Sequence, residues 1–255
     1  MREIILNEKT TAEECMNNRS LGAKPSDTLF RIAKYYNQYG YNKSEIGERL
    51  RDFLLRCSPE TNLSNWRDII EYASNNASKY KLIEIDYIPV THIEISKIKQ
   101  LDGELLQRLM FTLLCLAKYG NAISDKNNNW VNREHNEIFS LANIKISDIR
   151  KAGMINNLCK CGYVTLSKIV DNININVNII DNDSTAAFKI TDFRNLGNQF
   201  RKICGDDYIY CKECGLTIKK TCNATKYCKE CAAKVKNSYN VNKRKQKIEN
   251  AKNPV

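Results

Sequence analysis

The stretch VNREHNEIFSLANIKISDIRKAGMINNLCKCGYVTLSKIVDNININVNII, Val131–Ile180, changes its apolar period along its length. VNREHNEIFSLAN has helical spacing, and a turn at Ile144–Ile146 separates it from a second helix, SDIRKAGMINNLCKC. Ser147 stands at the N-cap of that second helix and Gly162 supplies its stop. Two runs follow, YVTLSKIV and ININVNII, in which apolar and polar residues alternate as in a hairpin turning at Asp171–Asn172. Helix, turn, helix and hairpin is the element order of a winged helix, in which the second helix enters the DNA major groove.

The spacing of that second helix turns Ile149, Ala152, Ile155 and Leu158 inward. Arg150, Lys151, Asn156, Asn157 and Lys160 are expected on its outer side. Lys145 and Ser147 sit at its N-terminus, where phosphate contacts are favoured. Arg150, Asn156 and Asn157 are the candidates for reading base edges. The hairpin is short of Lys and Arg, and a winged helix also serves as a protein-interaction scaffold, so both uses stay open.

Downstream stands CKECGLTIKKTCNATKYCKEC, Cys211–Cys231, in which thirteen residues separate two C-x-x-C pairs. Each pair presents two thiolates from one turn, and two such turns complete a tetrahedral zinc shell. The expected ligands of one structural zinc ion are Cys211, Cys214, Cys228 and Cys231. The segment has too few apolar residues to bury four unrelated cysteines, and four thiolates leave no open position for catalysis. Cys204 and Cys222 flank the cluster and stand outside the expected ligand set. Cys159 and Cys161 have the wrong spacing, and Cys15, Cys57 and Cys115 fall in helical core patterns.

The charge is concentrated in the same region. From Arg201 to Val255 there are fourteen Lys and Arg against five Asp and Glu, a balance of +9 within a total of +11. Lys219, Lys220, Lys226, Lys234, Lys236, Lys243, Arg244, Lys245 and Lys247 are the candidate phosphate contacts on the finger and the helix after it. A basic appendage on a near-neutral body points to a polyanion, with double-stranded DNA the expected partner.

Upstream, the chain reads as helical. Asp27 is expected to cap a helix through TLFRIAKYYNQYG, and Asn42 with Glu45 makes a capping box for SEIGERLRDFLLRC. A third helix runs from Leu63 to Lys79, with Trp66, Ile69, Ile70 and Ala73 inward. Three short helices with tight turns make a small helical bundle. LIEIDYIPV then reads as extended, and Thr91 with Glu94 opens another helix. LLQRLMFTLLCLAKYG, after Asp102, is apolar enough to be core. The fold class is therefore mainly α with small β. A helical module is expected over 1–90, a winged-helix domain over 91–203 and a four-cysteine finger with a basic tail over 204–255.

Within 27–80, T-L-F-R-I-A, G-Y-x-x-x-E-I, C-S-P and A-S-x-x-A-S-K-Y resemble the helical module C-terminal to the catalytic domain in many phage and plasmid primases. The resemblance implies a role in replication company rather than primase activity, since no paired-carboxylate catalytic signature is present. C-x-x-C-G, a polar spacer, K-Y-C-x-x-C-A and a basic helix resemble the zinc-ribbon or treble-clef-like tails of phage and mobile-element proteins. The order of modules resembles uncharacterised phage proteins that combine them.

The eleven cysteines and the lack of an apolar leader in MREIILNEKTTAEEC lead to an expected location in the host cytoplasm, and no eighteen-residue apolar run marks a membrane span. His92 and His135 are isolated histidines, and no G-x-x-x-x-G-K-[ST] run occurs. The expectation is a non-enzymatic nucleic-acid-binding protein of replication initiation or its regulation, or of transcriptional control. The rival is an interaction module that binds a host or phage polymerase or a defence nuclease.

Overall fold

The computed structural model describes residues 4–167 and 174–252, with the side chains from 244 onward outside the described set. It is mainly helical with three small sheets, and it divides into two compact units between Tyr87 and Ile88. Among the described residues no helix is long and apolar enough to cross a membrane.

The first unit packs four α-helices on one core. These are α1 (Glu8–Asn17), α2 (Pro25–Gln38), α3 (Lys43–Cys57) and α4 (Arg67–Asn76), the last flanked by 3-10 turns at Leu63–Trp66 and Ala77–Lys79. Leu29, Ile32, Leu50, Phe53, Leu54, Ile70 and Ala73 fill the centre, with Trp66, Ile69, Cys15 and Cys57 packed at its margin. Helix α2 starts three residues earlier than expected. Pro25 occupies its first turn, where a missing N–H costs nothing, so Asp27 lies inside the helix and does not cap it. The Asn42–Glu45 capping box forms in full. Glu8 forms a buried ion pair with Lys34 and accepts the Ile83 N–H at 2.9 Å, which ties the segment before the unit boundary to α1 and α2.

The second unit is built around α6 (Glu104–Ile123), whose buried stripe includes Leu109, Phe111, Leu113, Leu114 and Cys115. Before it come β1 (Ile88–Val90) and α5 (His92–Lys99), which opens on the Thr91–Glu94 capping box. After it come β2 (Trp130–Val131), α7 (His135–Leu141), α8 (Asp148–Lys160), β3 (Val164–Leu166) and β4 (Ile175–Val177). The three strands form an antiparallel sheet in the order β2–β4–β3, with Val164 opposite Val177 and Val131 opposite Ile175.

Two details differ from the expectation. Val131 belongs to β2 and not to α7, because Asn127 caps a loop through left-handed Asn128 and Asn129 and donates to the Trp130 carbonyl at 2.9 Å. Within the described part of the second alternating run the strand is three residues long, and Asn178 beyond it turns its amide onto the Gly162 carbonyl. The turn expected at Asp171–Asn172 lies outside the described residues.

Glu94 is fully buried and pairs with Lys118 at 2.7 Å. Its oxygens also accept the N–H of Thr91 at 2.8 Å and of Asp181 at 2.9 Å, while Lys118 donates to the Pro89 carbonyl at 2.9 Å. The pair is therefore fully hydrogen-bonded, the condition under which a buried charge is tolerated. It joins α5, α6 and the chain that leads to β5 (Phe188–Ile190), the antiparallel partner of β1.

Helix α9 (Leu196–Ile203) closes the unit by packing Phe200 on Phe111, with ring centroids 5.2 Å apart. Gly197 makes this approach feasible, because a Cβ there would lie 2.0 Å from the Ala142 carbonyl oxygen. Beyond α9 follow β6 (Tyr208–Tyr210), β7 (Thr217–Lys219) and α10 (Lys229–Lys252).

Candidate metal centre and nucleic-acid interface

The hairpin of β6 and β7 carries the first C-x-x-C turn at its tip, and the second pair lies at the start of α10. Gly215, at φ +72°, lets the chain fold back so that its N–H reaches the Cys211 carbonyl at 2.9 Å. Cys211 donates its own N–H to Leu216 at 2.9 Å, and Lys212 donates to the Lys226 carbonyl at 3.0 Å, which brings the two turns side by side. Cys211, Cys228 and Cys231 are buried, with Leu216, Ile218 and Tyr227 around them.

The ligand atoms of Cys211, Cys214, Cys228 and Cys231 lie within 4.8 Å of one another. Four sulfurs placed tetrahedrally at ~2.3 Å from one zinc ion stand ~3.8 Å apart, and Cys214 and Cys228 are separated by 3.8 Å. Backbone N–H groups already point at the sulfurs, from Cys228 to Cys211 at 3.2 Å and from Cys231 to Cys228 at 3.4 Å. Such donors offset thiolate charge, and the set suits one thiophilic cation such as zinc. Among the described residues no other group of three or more His, Cys, Asp and Glu side chains is close enough to hold an ion.

The thiols differ before any cation arrives. Burial raises the Cys211 thiol, but the N–H groups of Cys214, Cys228 and Glu213 outweigh it and hold the group down at about 6. Cys231 is pushed up to about 12, first by its hydrogen bond with Cys228 and then by burial. Burial also raises Cys214. One sulfur is thus ready as a thiolate, while the charge of further thiolates needs a cation beside it.

The remaining cysteines and histidines stay apart from this cluster. Cys222 is exposed beside Thr225, Cys204 is half-buried behind α9, and Cys115 is buried in α6. His92 lies edge-on to Phe188, and His135 opens α7 with its Nε2 buried.

Two hydrogen bonds that no spacing or motif foreshadows tie the metal hairpin to the rest of the second unit. Arg194, clamped by Asp192 at 2.7 Å, donates to the Cys214 carbonyl at 2.8 Å. Asn198 is buried; its amide N–H₂ donates to the Thr217 carbonyl at 3.1 Å, and its oxygen accepts from the Asn143 amide at 3.0 Å. Asn143 lies in the turn between α7 and α8, so one side chain spans from that turn to the finger.

On α8, Ile155 and Leu158 are buried as expected, and Arg150, Asn156, Asn157 and Lys160 are exposed. Ile149 and Ala152 are not inward: Ile149 is 86% exposed and Ala152 is also on the surface. Met154 and Cys159 are the half-buried residues beside Ile155 and Leu158, which rotates the buried stripe away from the first turn. Lys151 is 15% exposed and bonds Asp148 at 2.7 Å and Asn136 at 2.5 Å. The bond to Lys151 draws the Asp148 carboxyl below its usual range. Lys145 and Ser147 are exposed at the head of the helix, and Ser147 takes the N-cap position without a side-chain cap bond.

Helix α10 extends beyond the metal cluster with all its described residues from Ala232 to Lys243 exposed. Lys234, Lys236 and Lys243 lie along it, and Lys219 and Lys226 are on the finger, both exposed. Lys220 is half-buried near Asp207, at 3.9 Å. The side chains of Arg244, Lys245 and Lys247 lie outside the described residues. Comparison of the chain with protein-family models, with curated proteins and with solved structures finds no match.

Proposed function

We propose that this chain is a non-enzymatic DNA-binding protein of a phage or mobile element, acting in replication initiation or its regulation, or in transcriptional control. In this reading residues 91–203 work as a winged-helix domain, with α8 in the major groove and the β3–β4 hairpin against the backbone. The first unit is a helical bundle of the primase-associated kind. The four cysteines hold one structural zinc ion, whose task is to launch α10 and its lysines towards phosphate.

The observation that carries the reading is the surface of α8. Arg150, Asn156, Asn157 and Lys160 stand exposed on a helix anchored by Ile155 and Leu158 and followed by a hairpin in the sheet order β2–β4–β3. Arg and Asn are the side chains that read guanine and adenine edges. The test is a titration of double-stranded DNA into the zinc-loaded full chain at several salt concentrations. Binding that weakens steeply with salt supports the reading, and no binding at low salt overturns it.

The rival, a module docking on a polymerase or a defence nuclease, draws on the exposed Val235, Tyr239 and Val241 of α10. Exposed apolar residues on a helix suit a protein groove. Association with a protein partner that is insensitive to salt would favour it.

A further inference from the structure

We infer that the outer face of α8 reads A·T base pairs through the 5-methyl group of thymine, with Ile149 as the residue that touches it; this rests on α8 being the helix that enters the major groove. Ile149 is a large aliphatic side chain, 86% exposed, in the first turn of the helix. Its neighbours on the same stripe, at helical spacings of three, four and seven, are Ala152, Gly153 and Asn156, all exposed. The stripe is therefore methyl-rich at its N-terminal end and carries a carboxamide two turns later.

Three further observations favour DNA over another occupant. Lys145, Arg150 and Lys160 are exposed at the two ends of the stripe, which places cations where phosphates flank a groove. Asp148, the carboxylate nearest the stripe's head, is already held by Lys151 at 2.7 Å. Gly153 has no structural reason within the chain, since a Cβ there would meet nothing within 4 Å. A glycine inside a helix costs stability relative to alanine. Its presence leaves the backbone open to a surface that comes close from outside.

The major groove supplies what this stripe fits. Thymine alone offers a methyl group there, which apolar side chains contact, and adenine offers the N6–N7 pair that an Asn carboxamide reads bidentately. Seven residues of helix span about 10 Å, so Ile149 suits the thymine of one A·T pair and Asn156 the adenine of another.

The experiment uses zinc-loaded full-length protein and three duplexes: alternating A·T, the same duplex with deoxyuridine in place of thymidine, and alternating G·C. Uracil lacks only the methyl group. The expected result is tighter binding to the thymine duplex than to the uracil duplex, by about fourfold for each methyl buried, and weakest binding to G·C. Ile149→Ser should abolish the thymine–uracil difference while keeping salt-dependent binding, and Ile149→Val should retain much of it. The exposure of Ile149 means that neither variant threatens the fold. Equal binding of thymine and uracil duplexes, or a difference that survives Ile149→Ser, overturns the inference and leaves the DNA-binding reading standing. Absence of binding to every duplex overturns both. Sedimentation of the same proteins covers the other occupant: a dimer broken by Ile149→Ser, with the thymine–uracil difference unchanged, would make Ile149 a contact between copies and overturn the inference.

Discussion

The side-chain amide of Asn198 donates to the Thr217 carbonyl across 3.1 Å, and through it the metal-bearing hairpin is fastened to the body of the second unit. Both residues are buried. The same amide accepts from Asn143, so removing it would leave a donor on one side and an acceptor on the other without a partner. Asn198→Ala should therefore lower stability by about 1–3 kcal/mol. Thermal denaturation would measure this, and hydrogen exchange should rise at both β7 and the α7–α8 turn. A rise at β7 alone would show that the two sides are not joined.

Gly197 admits no side chain. A methyl group on it would sit 2.0 Å from the Ala142 oxygen, against backbone that cannot swing aside. Gly197→Ala should destabilise the second unit by about 1–3 kcal/mol, read as a lower denaturant midpoint. The first unit, with its own core, should unfold as before.

The buried Glu94–Lys118 pair gives a sharper contrast. Lys118→Met leaves the fully buried Glu94 without its cation and should cost about 3–5 kcal/mol. Glu94→Gln paired with Lys118→Met removes both charges and should recover much of that stability. A double-mutant cycle of chemical denaturation measures the recovery.

Metal loading should expel protons. Near pH 7 Cys211, held at about 6, is largely ionised, whereas Cys231, at about 12, keeps its proton. Binding must remove the protons of Cys231 and of Cys214, whose thiol burial raises, so affinity rises with pH and falls away as acid returns protons to the sulfurs. Calorimetry in buffers of different ionisation heat measures the release. Elemental analysis should find one zinc ion per chain, and Cys214→Ser should reduce it strongly.

If DNA is the partner, truncation after Arg201 should weaken binding to all sequences alike. The salt slope should fall by about one unit for each phosphate that is no longer neutralised. Arg150→Ala and Asn157→Ala should instead blunt discrimination by roughly 1–3 kcal/mol each and spare non-specific binding. Fluorescence titration against matched and mismatched duplexes separates the two effects.

Local chemistry made much of this architecture legible in advance. Asn42 with Glu45, and Thr91 with Glu94, mark helix starts because each pair satisfies its donors within four residues. The four cysteines are readable for the same reason: each C-x-x-C pair is one turn of chain. The misreadings needed distant information. Ile149 has the right period to be buried, but the buried stripe of α8 is set by Met154, Ile155 and Leu158, and the first turn projects beyond it. Helix α9 carries no start signal, since Asn195 precedes it in the left-handed conformation, φ +52°, without a side-chain cap bond. Its role rests on Gly197 and Asn198, whose partners lie 55 residues upstream and 19 downstream of Asn198.

Helix α10 behaves as a cantilever. It is clamped at Cys228 and Cys231, and beyond them its residues up to Lys243 rest on nothing. A lone helix in water frays unless its end is nucleated, and like-charged lysines along it add repulsion. The clamp supplies that nucleus, so stripping the metal should melt far more helix than the two cysteines themselves contain. The free arm should stiffen when a polyanion neutralises its lysines, so that metal content sets how far from the body the chain's positive charge is presented.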